Sequence, residues 1–150
     1  IILQGGIDDV WLNKKTKELI VVDYKSQASP KEVSQDTYFD KSGYHGSYKT
    51  QLDFYAYLMK GMNLEYGISD DSYLYVVNGL DVEEGFNAEI KFSETLIHHK
   101  IETDYLDNEI QNMIDTINSE KIPESNKSCK NCAYARQRSV IDSLGDLNEK

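Results

Sequence analysis

Asp8, Asp23 and Lys25 are the residues whose types and spacing could do chemistry. Each acid ends a short apolar run, Gly6-Ile7-Asp8-Asp9 or Val21-Val22-Asp23-Tyr24-Lys25-Ser26, and the lysine stands two residues beyond the second acid. Magnesium is commonly held by one or two carboxylates, with waters and phosphate oxygens completing its shell. An ammonium beside it is a point charge able to reach a phosphate or orient a water. The chemistry such parts support is metal-assisted hydrolysis of a phosphodiester.

Those residues must be positioned by a β-hairpin. The two runs are rich in β-formers, and only Asn13-Lys14-Lys15-Thr16-Lys17-Glu18 separates them, a polar, lysine-rich turn. Centring the turn between Lys15 and Thr16 sets Asp8 opposite Asp23, Val10 opposite Val21 and Leu12 opposite Leu19. Alternation then puts Asp8, Asp23 and Lys25 on one face with Val10, Val21 and Leu12. Opposed residues have Cβ atoms roughly 4.5–5.5 Å apart, where like charges destabilise, and Asp is a poor strand residue. A cation between the acids resolves the conflict. The bland reading is that Asp8 and Asp9 close a strand end while Asp23 and Lys25 form a solvated ion pair, since charged strand ends are commonplace. The offset of the lysine and a helix downstream favour the metal.

That helix is Gln51-Leu52-Asp53-Phe54-Tyr55-Ala56-Tyr57-Leu58-Met59-Lys60, where Leu52, Tyr55, Leu58, Met59 and Met62 recur at helical spacing. Gln51 and Tyr55 are one turn apart on the same face.

Read together, GGID, VVDYKS and QLDFY resemble the RecB-type branch of the PD-(D/E)XK nuclease superfamily, which includes the CRISPR-associated RecB-like exonucleases. The branch pattern is G-x-x-D, then D/E-x-K, then Q-x-x-x-Y. The resemblance implies Asp8 and Asp23 as metal ligands, Lys25 as the catalytic lysine, and Gln51 and Tyr55 as a pair contacting DNA beside the active site. Asp9 falls at a variable position and receives no metal. The resemblance further implies a Mg2+ or Mn2+ cofactor and DNA, at ends or single-stranded, as substrate, with a helicase or recombination protein as partner. It covers residues 5 to 60. The family has an N-terminal helix that supplies one more metal ligand; the chain opens on Ile-Ile-Leu rather than methionine and reads as a fragment lacking that helix.

Residues 1–150 fit one domain. No 18-residue apolar run spans a membrane, and no signal-peptide pattern appears, which points to the cytoplasm. The net charge of −10 is the opposite of a generic nucleic-acid footprint, so DNA contacts must come from local patches. One comprises Lys127, Lys130, Arg136 and Arg138. The other comprises Tyr38, Phe39, Lys41, Tyr44, His45, Tyr48 and Lys49, where aromatics and lysines could stack unpaired bases and hold phosphates, or simply close over the core. The only cysteines are Cys129 and Cys132. Relatives with a 4Fe–4S cluster carry an early cysteine and a late C-x2-C-x5-C; Arg138 stands where the third late cysteine would be. Four thiolates are normally required, so the pair reads as a remnant with free thiols, and no cluster is expected.

Ser72–Asn78 reads as a strand, and 88–102 as one or two strands. His98 and His99, side by side on it, point to opposite faces and read as ordinary residues. A helix starts at Asp104, with Leu106, Ile110, Met113, Ile114 and Ile117 on one face, and Pro123 ends it. Residues 136–150 read as a polar, partly disordered tail. The fold class is α/β, a restriction-endonuclease-like core with a mixed central sheet flanked by helices. The functions compatible with this are a metal-dependent DNA nuclease (an exonuclease), a nuclease-fold module without catalysis that binds DNA or proteins, and a phosphoesterase of small nucleotides.

Overall fold

The computed structural model describes residues 1–39, 45–80, 88–125 and 127–145. They fall into two compact units, Ile1–Asn108 and Glu109–Lys150, where length alone suggested one.

In the first unit, β1 (Asp9–Leu12) and β2 (Glu18–Ala28) form the hairpin. Its register follows the alternation of the sequence: Val10 lies opposite Val21 and Leu12 opposite Leu19. Asn13 organises the turn, accepting the N–H groups of Lys15 and Thr16 on its side-chain oxygen, as Asn does in tight turns. Lys17 takes the left-handed conformation that closes it (φ 63). Two helices follow, α1 (Gln35–Tyr38) and α2 (Gly46–Lys60), the latter beginning before the Gln51 that marks it in sequence. Then come β3 (Gly67–Ile68), β4 (Asp71–Gly79) and β5 (Phe92–Lys100). The sheet runs β1-β2-β4-β5, and β3 pairs with the start of β2. β2 and β4 are parallel while β1 and β5 are antiparallel edges, so the sheet is mixed. Antiparallel neighbours need only a turn, but the β2–β4 pair needs a crossover, which α1 and α2 supply.

Alternation sorts β4 cleanly: Ser72, Leu74, Val76 and Asn78 are fully buried, and Tyr73, Tyr75 and Val77 half-buried. The buried face meets α2 in a core of Val21, Leu74, Val76 and Ile97 with Leu52, Tyr55, Ala56 and Met59. Each fully buried aliphatic side chain there contributes roughly 1.5–3 kcal/mol. Tyr38 and Phe39 also join or flank this core; Lys41 and Tyr44 lie outside the described residues. Met62, assigned to the helix face by spacing, lies beyond Lys60 and is 59% exposed.

The other sheet face is aromatic. Trp11 stacks on Tyr73 (6.3 Å), Tyr73 meets His98 (5.3 Å), and Tyr24 packs edge-on to Tyr75 (5.7 Å). Acids tether the polar tips: Tyr24 donates to Asp9 and Tyr75 to Glu94.

α3 (Leu106–Asn118) begins after Asp104 and stops before Pro123. Its Leu106 is buried, while Met113 and Ile117 are exposed. Across the stretch read as a tail, Lys130–Gly145 form α4. Polar composition does not oppose a helix: Ala, Arg and Gln are good helix formers, and Arg138 pairs with Asp142 one turn on at 2.7 Å. Residues 146–150 lie outside the described residues. No helix among the described residues is long and apolar enough to cross a membrane.

Candidate active site

The apolar run of β2 carries Asp23 into the middle of the sheet, between β1 and β4, with its side chain on the α2 face. There it is 2% exposed. Burial alone pushes its carboxyl above the ordinary value, and the Asp8 carboxylate pushes further, while the Lys25 ammonium opposes both. Asp23 Oδ1 accepts a hydrogen bond from Gln51 Nε2 at 3.1 Å. Asp23 Oδ2 lies 2.5 Å from Lys25 Nζ, a buried oxygen held by the ammonium as a charge-assisted contact.

Asp8 comes into the same neighbourhood by a different route. β1 stops at Asp9, one residue short of the pairing that would set Asp8 directly opposite Asp23. Where the ladder would continue, Asp8 Oδ2 accepts the Tyr24 N–H at 2.9 Å. The Asp8 side chain stays exposed. Asp9 faces away and is consumed structurally, accepting from its neighbour's Val10 N–H, from Trp11 Nε1 and from the Tyr24 hydroxyl. These bonds hold its carboxyl below the ordinary range.

α2 supplies the remaining parts because Gln51 and Tyr55 share one face of it. The Gln51 amide is read by both charges: its oxygen accepts from Lys25 Nζ at 3.0 Å, and its nitrogen donates to Asp23. The same nitrogen donates to the Tyr55 hydroxyl at 2.8 Å. Tyr55 is backed by Gly5, where a Cβ would stand 2.8 Å from the ring. The structure thus brings Asp8, Asp23, Lys25, Gln51 and Tyr55 together. A hard divalent cation fits the donors present, since the buried Asp23 carboxylate and the exposed Asp8 carboxylate beside it are the oxygen ligands magnesium prefers. Among the described residues no cluster of three or more His, Cys, Asp or Glu joins them.

Other candidates have different surroundings. Tyr48, which sequence offered as a base-stacking residue, lies with its ring 4.4 Å from Lys25 Nζ; its place one turn before Gln51 was the available signal. His98 Nε2 is 2.8 Å from Asp71 Oδ1 on the aromatic face, and His99 Nε2 is 2.8 Å from Asp53 Oδ1 on the other. Asp53 is buried and also accepts from the Glu102 N–H and the Tyr105 hydroxyl, tying α2 to the chain after β5. In the second unit Cys129 precedes α4, and its sulfur accepts the Cys132 N–H at 3.3 Å. That bond lowers the Cys129 thiol below its usual range, and Cys132 is raised by its neighbour.

Comparison with curated proteins found no match, nor did comparison with solved structures. A sequence model of the PD-(D/E)XK nuclease superfamily matches residues 1–137, and the mixed sheet flanked by helices is consistent with that superfamily's restriction-endonuclease-like fold. The chain belongs to the PD-(D/E)XK nuclease superfamily.

Proposed function

We propose that this chain is a Mg2+- or Mn2+-dependent deoxyribonuclease of the RecB-type branch, acting as an exonuclease on DNA ends or single strands. The observation that carries the reading is the buried Asp23 carboxylate, one oxygen against the Lys25 ammonium, with the second carboxylate of Asp8 beside it. The Asp23 carboxyl is raised despite that ammonium, so one positive charge does not offset burial and the neighbouring acid, and a divalent cation would. Asp8 and Asp23 would hold the ion, which supplies Lewis acidity toward a phosphoryl oxygen and acidifies a bound water. Lys25 holds its ammonium against Asp23 and Gln51, where it can stabilise charge on a phosphate. Gln51 fixes the orientation of both charged groups, and Tyr55 fixes Gln51 in turn. The superfamily cleaves phosphodiesters, and a helicase or recombination protein that delivers ends suits such an activity.

The test is cleavage of end-labelled single- and double-stranded DNA with manganese, wild type beside Asp23→Ala. Cleavage by wild type alone supports the reading, and its product ladder gives the polarity. Equal cleavage by both proteins overturns it.

A second reading, a nuclease-fold module without catalysis, is favoured by the net charge of −10, which repels a polyanion. Manganese calorimetry separates the two: heat that depends on Asp8 and Asp23 speaks for the enzyme.

A further inference from the structure

Lys25 is 18% exposed at its side chain and has three kinds of partner. Two are oxygens, on Asp23 and Gln51. The third is the face of Tyr48, with Nζ 4.4 Å from the ring centroid, inside the roughly 6 Å reach of a cation–π contact. The ring does not lie there by chance of a free side chain. It stacks nearly parallel to His45 at 5.6 Å and to Tyr38 at 6.5 Å, and Tyr38 is itself buried in the core. On α2, residues 48, 51 and 55 follow the i, i+3, i+7 spacing of one helix face. One stripe therefore presents a ring, an amide and a phenol toward the Asp23–Lys25 stretch of β2.

We propose that Tyr48 is a positioning residue for Lys25: its ring face, fixed by the Tyr38–His45–Tyr48 stack, holds the ammonium between Asp23 and Gln51. This rests on the reading of Lys25 as the lysine that acts on the phosphate. A lysine on a flexible four-carbon stem has many rotamers, and a third contact beside its two oxygen partners narrows them further. The ring supplies that contact while donating no proton and accepting none. The attraction comes from the negative potential of the π face, so the ring is required and its hydroxyl is not.

The experiment replaces Tyr48 by Phe, by Leu, and by mono-, di- and trifluorinated phenylalanine, which drain the π face at nearly constant shape. Steady-state cleavage of end-labelled DNA with manganese is read beside the Lys25 Hε resonances, which the ring current shifts upfield. Tyr48→Leu is expected to lose about ten-fold in kcat with little change in KM. Tyr48→Phe recovers most of that loss, and the fluorinated series declines stepwise. The upfield shift persists in Tyr48→Phe and vanishes in Tyr48→Leu. A flat fluorine series, or Phe no better than Leu, overturns the proposal, as does the absence of an upfield shift in the wild type. If the shift behaves as stated but the wild type cleaves nothing, the nuclease reading fails and the contact between ring and ammonium stands.

Discussion

Lys25 Nζ donates to Gln51 Oε1 at 3.0 Å, joining a strand to a helix across a separation of 26 residues. The bond makes the lysine's position a property of the strand–helix packing and not of its own rotamer alone. The amide can serve both charges because its two ends are chemically opposite. Gln51→Ala is expected to lower kcat for DNA cleavage by about 10- to 100-fold and to leave the far-ultraviolet circular dichroism unchanged. Wild-type turnover in the variant would show that the bridge has no part in the chemistry.

The raised carboxyl of Asp23 gives stability a pH signature. Its folded value lies above the ordinary 3.8, so between the two values the folded chain binds a proton that the unfolded chain has released. Stability therefore falls as pH rises through that window. A divalent cation binds the deprotonated form. Its stabilisation is full above the raised value and is lost as pH falls through it. Thermal melts from about pH 4 to 8, with and without manganese, should show a gain of about 2.7 kcal/mol at a hundred-fold excess over Kd near neutrality. The gain should vanish at the acid end and be absent throughout in Asp23→Asn.

Asp53 holds three groups together: His99, Tyr105 and the Glu102 N–H. Asp53→Ala strands the donors it serves. Urea unfolding should show a loss of roughly 2–4 kcal/mol, while cleavage per folded molecule stays within about two-fold. A loss under about 1 kcal/mol would mean that water or rearrangement satisfies the pocket.

Gly5 and Gly6 are neighbours with opposite constraints. A Cβ at Gly5 would meet the Tyr55 ring at 2.8 Å, whereas one at Gly6 meets nothing within 4 Å. Gly5→Ala must push the ring that anchors Gln51, at about 1–3 kcal/mol, and should reduce cleavage. Gly6→Ala should melt and cleave like the wild type. Equal behaviour of the two variants would dismiss the close approach.

The hairpin register was legible because alternation has only two settings, and the apolar set of Val10, Leu12, Leu19 and Val21 is satisfied by one of them. β4 was legible for the same reason, and Gln51 and Tyr55 were placed by helical spacing. What escaped notice depends on partners distant in sequence. Asp53 looks like a solvated residue of an amphipathic helix until His99 and Tyr105 fold over it. Tyr48 looks like one of several interleaved aromatics until Lys25 comes beneath it. α4 is hard to read from sequence because Arg136 and Arg138 interrupt its middle and it has little apolar periodicity; local propensity with the Arg138–Asp142 pair prevails. The roles proposed for Asp8, Asp23 and Lys25 came from their pattern, and their gathering beside Gln51, midway along β2, is what the fold adds.

Asp8 owes its position to the peptide N–H of Tyr24, the residue that follows Asp23. Main chain, not side chain, thus links the two acids. Every replacement at position 24 except proline keeps that donor. The tyrosine can drift under selection for the aromatic face without disconnecting Asp8 from its place, so one residue answers to two surfaces that are free to evolve separately.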